Sequence, residues 1–267
     1  MNHRSILLLP VALLALALSS VARADDAPSP ICTDRPTKAN ATCTVPQGMW
    51  QLETDVGNAT HDAYVGGSTD TLYLLNPYLK YGINAHTDVE VNWAPVVRVR
   101  TTAQGVRRTI QGAGDLYLRL KSNLYSGDVF SASLIPFIKA PTASQGVGNG
   151  HWEGGVALPM SASVGGGFTV TVGPELDALA DADGRGNHLS MTNLVNLAHP
   201  LTSKLSVAVE YWRQDNYDSS GTVRQDSADI AFTYVVNSNF QLDTGANMGL
   251  NSATPDQQVY LGLSYRW

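Results

Sequence analysis

From residue 115 to 121 every second residue carries a group that can hold an ion or a polar solute. Asp115, Tyr117, Arg119 and Lys121 alternate with Leu116, Leu118 and Leu120. An extended strand sends successive side chains to opposite faces, so this run puts charge on one face and hydrocarbon on the other. The pattern recurs along the chain. Glu90 lies between Val89 and Val91, and Glu175 precedes Leu176. Glu210 and Trp212 flank Tyr211, Asp229 precedes Ile230, and Asp243 follows Leu242. Charges on a wetted inner face can select what passes, as rings of charge do in pores, or they can pair off and only brace the wall. The candidate site is therefore Glu90, Asp115, Tyr117, Arg119, Lys121, Glu175, Glu210, Trp212, Asp229 and Asp243, with Arg119, Lys121 and neighbouring acids as the constriction. Tyr78, Tyr117 and Trp212 share the polar faces and can line a path for apolar solutes.

Catalysis needs a nucleophile, a base and an orienting group within reach of one another. His151 and Glu153 can share a face near the outer rim, with a loop serine such as Ser144 as a partner. There is no G-x-S-x-G, and the histidine spacing does not suit zinc. No catalytic residue, metal or cofactor is expected. Cys32 and Cys43 are the two cysteines. They are not C-x-x-C and have no histidine beside them, so a disulfide is expected if the chain is exported.

Export is indicated by residues 1–24. Arg4 supplies the positive start, Ile6 to Leu18 an apolar run, and Ala22-Arg23-Ala24 a small-x-small cleavage site, which together read as a signal peptide. The apolar run is too short for a membrane anchor, which needs about 20 residues. The net charge of −6 argues against a nucleic-acid partner.

Residues 25–46 are Pro-, Thr- and Asn-rich without a period, and read as an irregular periplasmic lead-in. From residue 47 to 267 the chain alternates. Twelve strands are expected near 48–57, 70–81, 86–95, 113–123, 128–139, 151–162, 167–178, 188–198, 204–214, 225–235, 239–249 and 257–266. Short turns are expected at 82–85, 124–127, 163–166, 199–203 and 236–238. Longer polar loops are expected at 58–69, 96–112, 140–150, 179–187, 215–224 and 250–256. Short turns on one rim and long loops on the other is the layout of an outer-membrane barrel. The expected fold is all-β: a single closed antiparallel transmembrane β-barrel of about 12 strands, with short periplasmic turns and longer extracellular loops. Closure follows because lipid offers no partner to an open sheet edge. A soluble sandwich would also alternate, but Trp50, Trp93, Tyr234 and Trp267 at strand ends fit interfacial aromatic girdles.

Four stretches resemble the phenol-degradation meta-pathway (MetA-type) outer-membrane transporter family. They are Thr33-Asp34-Arg35-Pro36 with Val45-Pro46-Gln47-Gly48 and Gln51-Leu52-Glu53, then Gly112 to Leu124, Ile135 to Leu158, and Leu242 to Trp267. The resemblance implies an outer-membrane location and uptake of small molecules, aromatic or hydrophobic ones among them. Cys32 and Cys43 depart from it.

The functional expectation is a channel or transporter in the bacterial outer membrane, not an enzyme. The alternative is a structural or adhesive barrel without transport, with a barrel hydrolase behind it. The expected partners are outer-membrane lipid, lipopolysaccharide, a small-molecule permeant, and the barrel-assembly machinery through the terminal strand ending at Trp267. Arg98, Arg100, Arg107 and Arg108 form a basic cluster that could touch lipopolysaccharide phosphates.

Overall fold

A computed structural model describes residues 29–267. The expected signal peptide lies outside the described residues. Seventeen strand segments follow one another: β1 (Trp50–Tyr64), β2 (Gly67–Leu74), β3 (Tyr78–Asn84), β4 (Thr87–Trp93), β5 (Val96–Ala103), β6 (Val106–Gly112), β7 (Leu116–Ser126), β8 (Phe130–Ala140), β9 (Glu153–Ala157), β10 (Met160–Gly165), β11 (Phe168–Val172), β12 (Glu175–Ala180), β13 (Asn187–Pro200), β14 (Leu205–Asp218), β15 (Gly221–Asn237), β16 (Phe240–Gly249) and β17 (Gln257–Arg266). Five consecutive pairs are single staves with a break in the middle: β2/β3, β4/β5, β6/β7, β9/β10 and β11/β12. The barrel therefore has twelve staves.

Four of the breaks carry a proline, Pro77, Pro95, Pro159 or Pro174, and the fifth carries Gly114. Proline has no N–H to give to the ladder, so a strand cannot run through it unbroken. The breaks line up across neighbours. The Trp93 amide donates to Pro77 O (3.3 Å) and the Gly114 amide to Ala94 O (2.8 Å), so three adjacent staves crease at one height. On the next staves the Leu158 amide donates to Pro174 O at 2.9 Å. The staves β13 to β17 run without such breaks.

Every stave pairs antiparallel with its sequence neighbours, and β1 closes on β17 from Gln51↔Arg266 to His61↔Gln257. Trp50 and Trp267 exchange backbone bonds of 3.0 and 2.9 Å at the foot of this seam. The cylinder is thereby closed to lipid; above it β6 pairs with β5 alone. The turn-side rim carries Tyr265 stacked on Trp267 (centroids 5.8 Å apart), with Phe240 beside Tyr265. Such aromatic rings sit at the headgroup level of membrane barrels.

The packing is inverted relative to a soluble protein. Val259, Leu261, Leu176, Val209 and Leu118 lie exposed on the outer wall, while Glu53, Lys80, Glu90, Lys121, Asp243 and Arg266 are buried inside. An arginine or lysine on the lipid face costs about 2–4 kcal/mol at the midplane, which is why the charges face the lumen.

The twelve expected strands are all present. Three of the expected polar loops take another form. Residues 58–69, 96–112 and 215–224 are mostly strand, joined by two-residue turns at Val65–Gly66, Gln104–Gly105 and Ser219–Ser220. Gln104 and Gly105 have φ of 49° and 78°, the left-handed pair that a tight type I′ hairpin turn requires. These hairpins extend the wall above the lipid. All of β6 except Gly112 is exposed, so the apolar stripe fades there while the pairing continues. Irregular connections remain at 141–152, 181–186 and 250–256.

The lead-in expected in the periplasm also differs. Residues 29–46 enter at the turn-side rim, where Arg266 Nη2 donates to Ser29 O (2.6 Å), and fold up inside the barrel. The physical reason is the charge of the wall they meet.

Candidate functional site in the lumen

Strand register builds the site before any tertiary contact does. Lys80 lies opposite Gln51 on one side and Glu90 on the other. Glu90 lies opposite Arg119, and Asp88 opposite Lys121. Four adjacent staves thus set acid beside base at one level. Lys80 Nζ is 2.7 Å from Glu53 Oε1 and 3.4 Å from Glu90 Oε1, and Arg119 Nε is 3.2 Å from Glu90 Oε2. Glu90 is fully buried, and charges withdrawn from water in this way persist only when paired.

The inserted segment completes the pairing. Asp34 sits between Lys80 (2.5 Å) and Lys121, and its amide donates to Glu53. Asn40 Oδ1 accepts from Arg119 Nη2 at 2.6 Å. On a second wall Arg35 reaches Asp55 (2.7 Å) and Asp243 (2.8 Å), with its guanidinium 5.9 Å from the Tyr260 ring centroid. On a third, Lys38 Nζ meets Asp229 at 2.5 Å over the Trp212 ring. Glu210 there accepts the Lys38 and Ala39 amides, each at 3.0 Å. Gly262 makes this fit: a Cβ there would lie 2.0 Å from Arg35 Nη2. Cys32 and Cys43 close the base of the segment as a disulfide, with Cα atoms 6.3 Å apart.

The candidate residues are thus brought to the lumen in three groups. Lys121 pairs with Asp34 and, with Arg119, with Glu90, whereas Glu210, Trp212 and Asp229 meet Lys38, and Asp243 meets Arg35. Their charges do not pair directly across the lumen, because the segment stands between the walls. Asp115 belongs to a separate cluster: Lys139 Nζ lies 3.4 Å from it and 2.7 Å from Glu153. Asp115 also accepts the Ala143 amide at 2.8 Å, which draws loop 141–152 into the mouth. Tyr117 and Glu175 line the middle cavity.

The hydrolase set does not assemble. Glu153 is taken by Lys139, and Ser144 Oγ accepts the Ala113 amide at 2.9 Å. At the outer rim His188 Nδ1 sits 2.8 Å from Asp181 and 3.4 Å from Asp218, tying loop 181–186 to the β14–β15 hairpin. Bonds from the Ser220 hydroxyl and backbone hold the Asp218 carboxyl down at about 2.

Asp34, Arg35 and Lys38 are the lumen charges that strand reasoning missed. A signal existed. Asp55, Glu210, Asp229 and Asp243 are inward acids with no base opposite them on the neighbouring strands. A buried wall of that sign calls for cations from elsewhere.

Burial opposes the ionised Asp34 carboxyl, but Lys121, Lys80 and Arg119 outweigh it and hold the group well below the usual carboxylate range. Its charge therefore stabilises the seated segment above about pH 4, the ordinary Asp value, and that contribution is lost as pH falls through the lowered one. The Asp34 contribution, read as the difference in single-channel current between wild type and Asp34→Asn, should stay level from about pH 8 down to about pH 5 and shrink only in stronger acid. A difference that already shrinks near neutrality would contradict the assignment.

Two cavities lie against the segment and another lies outward of them. The outermost, about 530 Å³, is lined by Tyr73, Tyr78, Tyr117, Asn76, Asn92 and Lys139. The middle one, about 320 Å³, shares Asn76, Tyr78 and Tyr117 with it and adds Asp34, Arg119 and Glu175. The third, about 410 Å³, shares Arg35, Pro36, Thr37 and Asn40 with the middle one and opens toward Gly127–Ser131 on the turn side.

A closed β-cylinder with an apolar outer wall, an ionised interior and an inserted N-terminal segment is an outer-membrane β-barrel. Residues 33–267 match the family described as "Putative MetA-pathway of phenol degradation", and the chain belongs to that family. Among solved structures, an outer membrane channel from Pseudomonas putida F1 is similar, with a TM-score of 0.66 at 12% identity, over 85% of this chain and 98% of that one. The transport unit of the autotransporter AIDA-I from Escherichia coli has a TM-score of 0.55 at 11% identity, over 82% and 90%. The NanC porin has a TM-score of 0.51 at 8% identity, over 80% and 98%. At these identities the likeness concerns the fold. No curated protein sequence matches this one.

Proposed function

We propose that the protein is a channel or transporter for small molecules across the outer membrane, with its conductance limited by the inserted segment. The observation that carries this is the run of three cavities sharing walls from the extracellular mouth to the turn-side rim. The outer and middle cavities meet at Tyr78 and Tyr117, and the Arg119 guanidinium lies 5.2 Å from the Tyr78 ring centroid. Tyrosine faces favour flat, weakly polar solutes, and the family's phenol-degradation description supports small aromatic or hydrophobic permeants. The reading is non-enzymatic: Ser144, His151 and Glu153 do not assemble, and similar folds include an outer membrane channel and a porin.

Outer-membrane lipid surrounds the barrel, and we assign β17 with its final Trp267 as the strand the assembly machinery reads. The periplasmic domain boundary then falls at the rim, with residues 29–46 as a plug.

Arg119→Ala tests the passage. It removes the guanidinium from the wall of the middle cavity and leaves Glu90 short of one partner. Single-channel recording should show higher conductance and a shift toward cation selectivity. Unchanged conductance and selectivity would sink the channel reading of this level. The second reading, a sealed structural barrel, draws on the three-walled anchoring of the plug, and it predicts no swelling of liposomes in any solute.

A further inference from the structure

The outer wall changes character abruptly at one height. Across the five neighbouring segments β17, β1, β2, β5 and β6, Leu74 pairs with Val96, and Leu261 with Gly57. One step higher the outward row runs Val259, Ala59, Leu72, Arg98 and Gln111. The next row is Gln257, His61, Asp70, Arg100 and Thr109, and above it Thr102 pairs with Arg107. Hydrocarbon thus gives way to arginine within two rows. The stretch of β1 below this boundary, residues 50–59, has the length of about 9–11 residues that a membrane strand needs. Arg98 and Arg100 therefore stand at the level of the outer-leaflet headgroups.

Their partners within the chain are few. Arg98 Nε donates to Gln111 at 3.1 Å, while Arg100 Nε is buried without a partner. Asp70, the nearest carboxylate in register, is engaged by His61 at 2.7 Å. Arg98, Arg100, Arg107 and Arg108 make no salt bridge among the described residues. A surface cavity of about 310 Å³ lies against Arg98, Arg100, His61 and Gln257, with Leu72 and Val259 forming its apolar floor.

We propose that this cavity binds the phosphorylated headgroup of a lipopolysaccharide, with Arg98 and Arg100 on the phosphate and acyl chain against Leu72 and Val259. Arginine's planar fork matches phosphate oxygens, and such bonds are strongest where water is excluded. The apolar floor beneath the charges is what distinguishes a lipid phosphate from a free one. This inference rests on the membrane placement of the barrel but not on transport.

The test compares wild type with Arg98→Gln/Arg100→Gln, and with Arg213→Gln/Arg224→Gln as a control from the Asp215 rim pairs. Each is extracted from outer membranes in mild detergent, and lipid A per barrel is measured by mass spectrometry. The first variant should retain about tenfold less, the scale of one lost charge-assisted bond, and the control should match wild type. Equal retention in all three overturns the proposal. In a second arm, wild type in phosphatidylcholine nanodiscs is titrated with deep-rough lipopolysaccharide or with inorganic phosphate. Thermal stabilisation by the lipid alone supports the site, and equal stabilisation by phosphate overturns the lipid assignment. Heat-modifiable gel migration and single-channel conductance, expected unchanged in the variant, keep a folding failure or a failed channel reading distinct from a failed lipid site.

Discussion

Deleting residues 29–44 should raise single-channel conductance several-fold and make the pore cation-selective. The deletion removes the bulk that separates the three walls, joining the middle and turn-side cavities that Arg35, Pro36, Thr37 and Asn40 now divide. It also takes away two cations and one anion. Asp55 and Asp243 lose Arg35, and Asp229 and Glu210 lose Lys38. Lys80 and Lys121 lose Asp34 but keep Glu53 and Glu90. The newly wetted wall is therefore richer in uncompensated acid than in base. Ion selectivity in a wide pore follows the sign of its lining charge. Reversal potentials in a salt gradient across a planar bilayer measure the shift. Wild-type conductance in the deleted barrel, with normal heat-modifiable migration, would show that the segment does not limit flow.

Glu90→Ala should destabilise the barrel by about 3–5 kcal/mol, the usual penalty for stripping one partner from a buried ion network. Glu90 contacts Lys80, Arg119 and Lys121, which would all remain charged and facing one another. Like charges so close repel, and the fully buried site gives water little room to screen them. Glu90→Gln keeps the shape and a hydrogen-bond acceptor, and should lose less. Urea midpoints in phospholipid vesicles read both. Replacing Arg213, whose bond to Asp215 lies at the exposed rim, should leave the midpoint where it is. An alanine at position 90 that unfolds at the wild-type midpoint would mean the network is relaxed by solvent.

The staves were legible in the sequence because lipid imposes a strict rule on them. Val259, Leu261 and Leu263 against Gln258, Gly262 and Ser264 leave one way to face, and β17 follows it. Above the bilayer that rule lapses. In β6 both faces meet water, so Arg107, Arg108 and Gln111 resemble a loop even though they pair in register with β5. The turn chemistry at Gln104–Gly105 was the remaining local sign. Half of the candidate site was legible for the same reason. Arg119 and Lys121 point inward by parity alone. Their partner Asp34 has no period to announce it, since its position follows from charge balance among residues far apart in the chain. Glu90 and Arg119 meet through strand register, which follows from the order of the staves. Lys38 and Asp229 meet only because the whole cylinder has closed around the segment.

The aligned breaks at Pro77, Ala94 and Gly114 have a mechanical consequence. A ladder of unbroken backbone bonds resists bending along its length, and the staves from β13 to β17 have that stiffness. On the opposite side three neighbours share one fold line, crossed by single bonds at Pro77 and Ala94. Lateral pressure from the bilayer will therefore be absorbed unevenly. The creased half yields and the smooth half holds its shape, so the bore changes its ellipticity about a fixed spine.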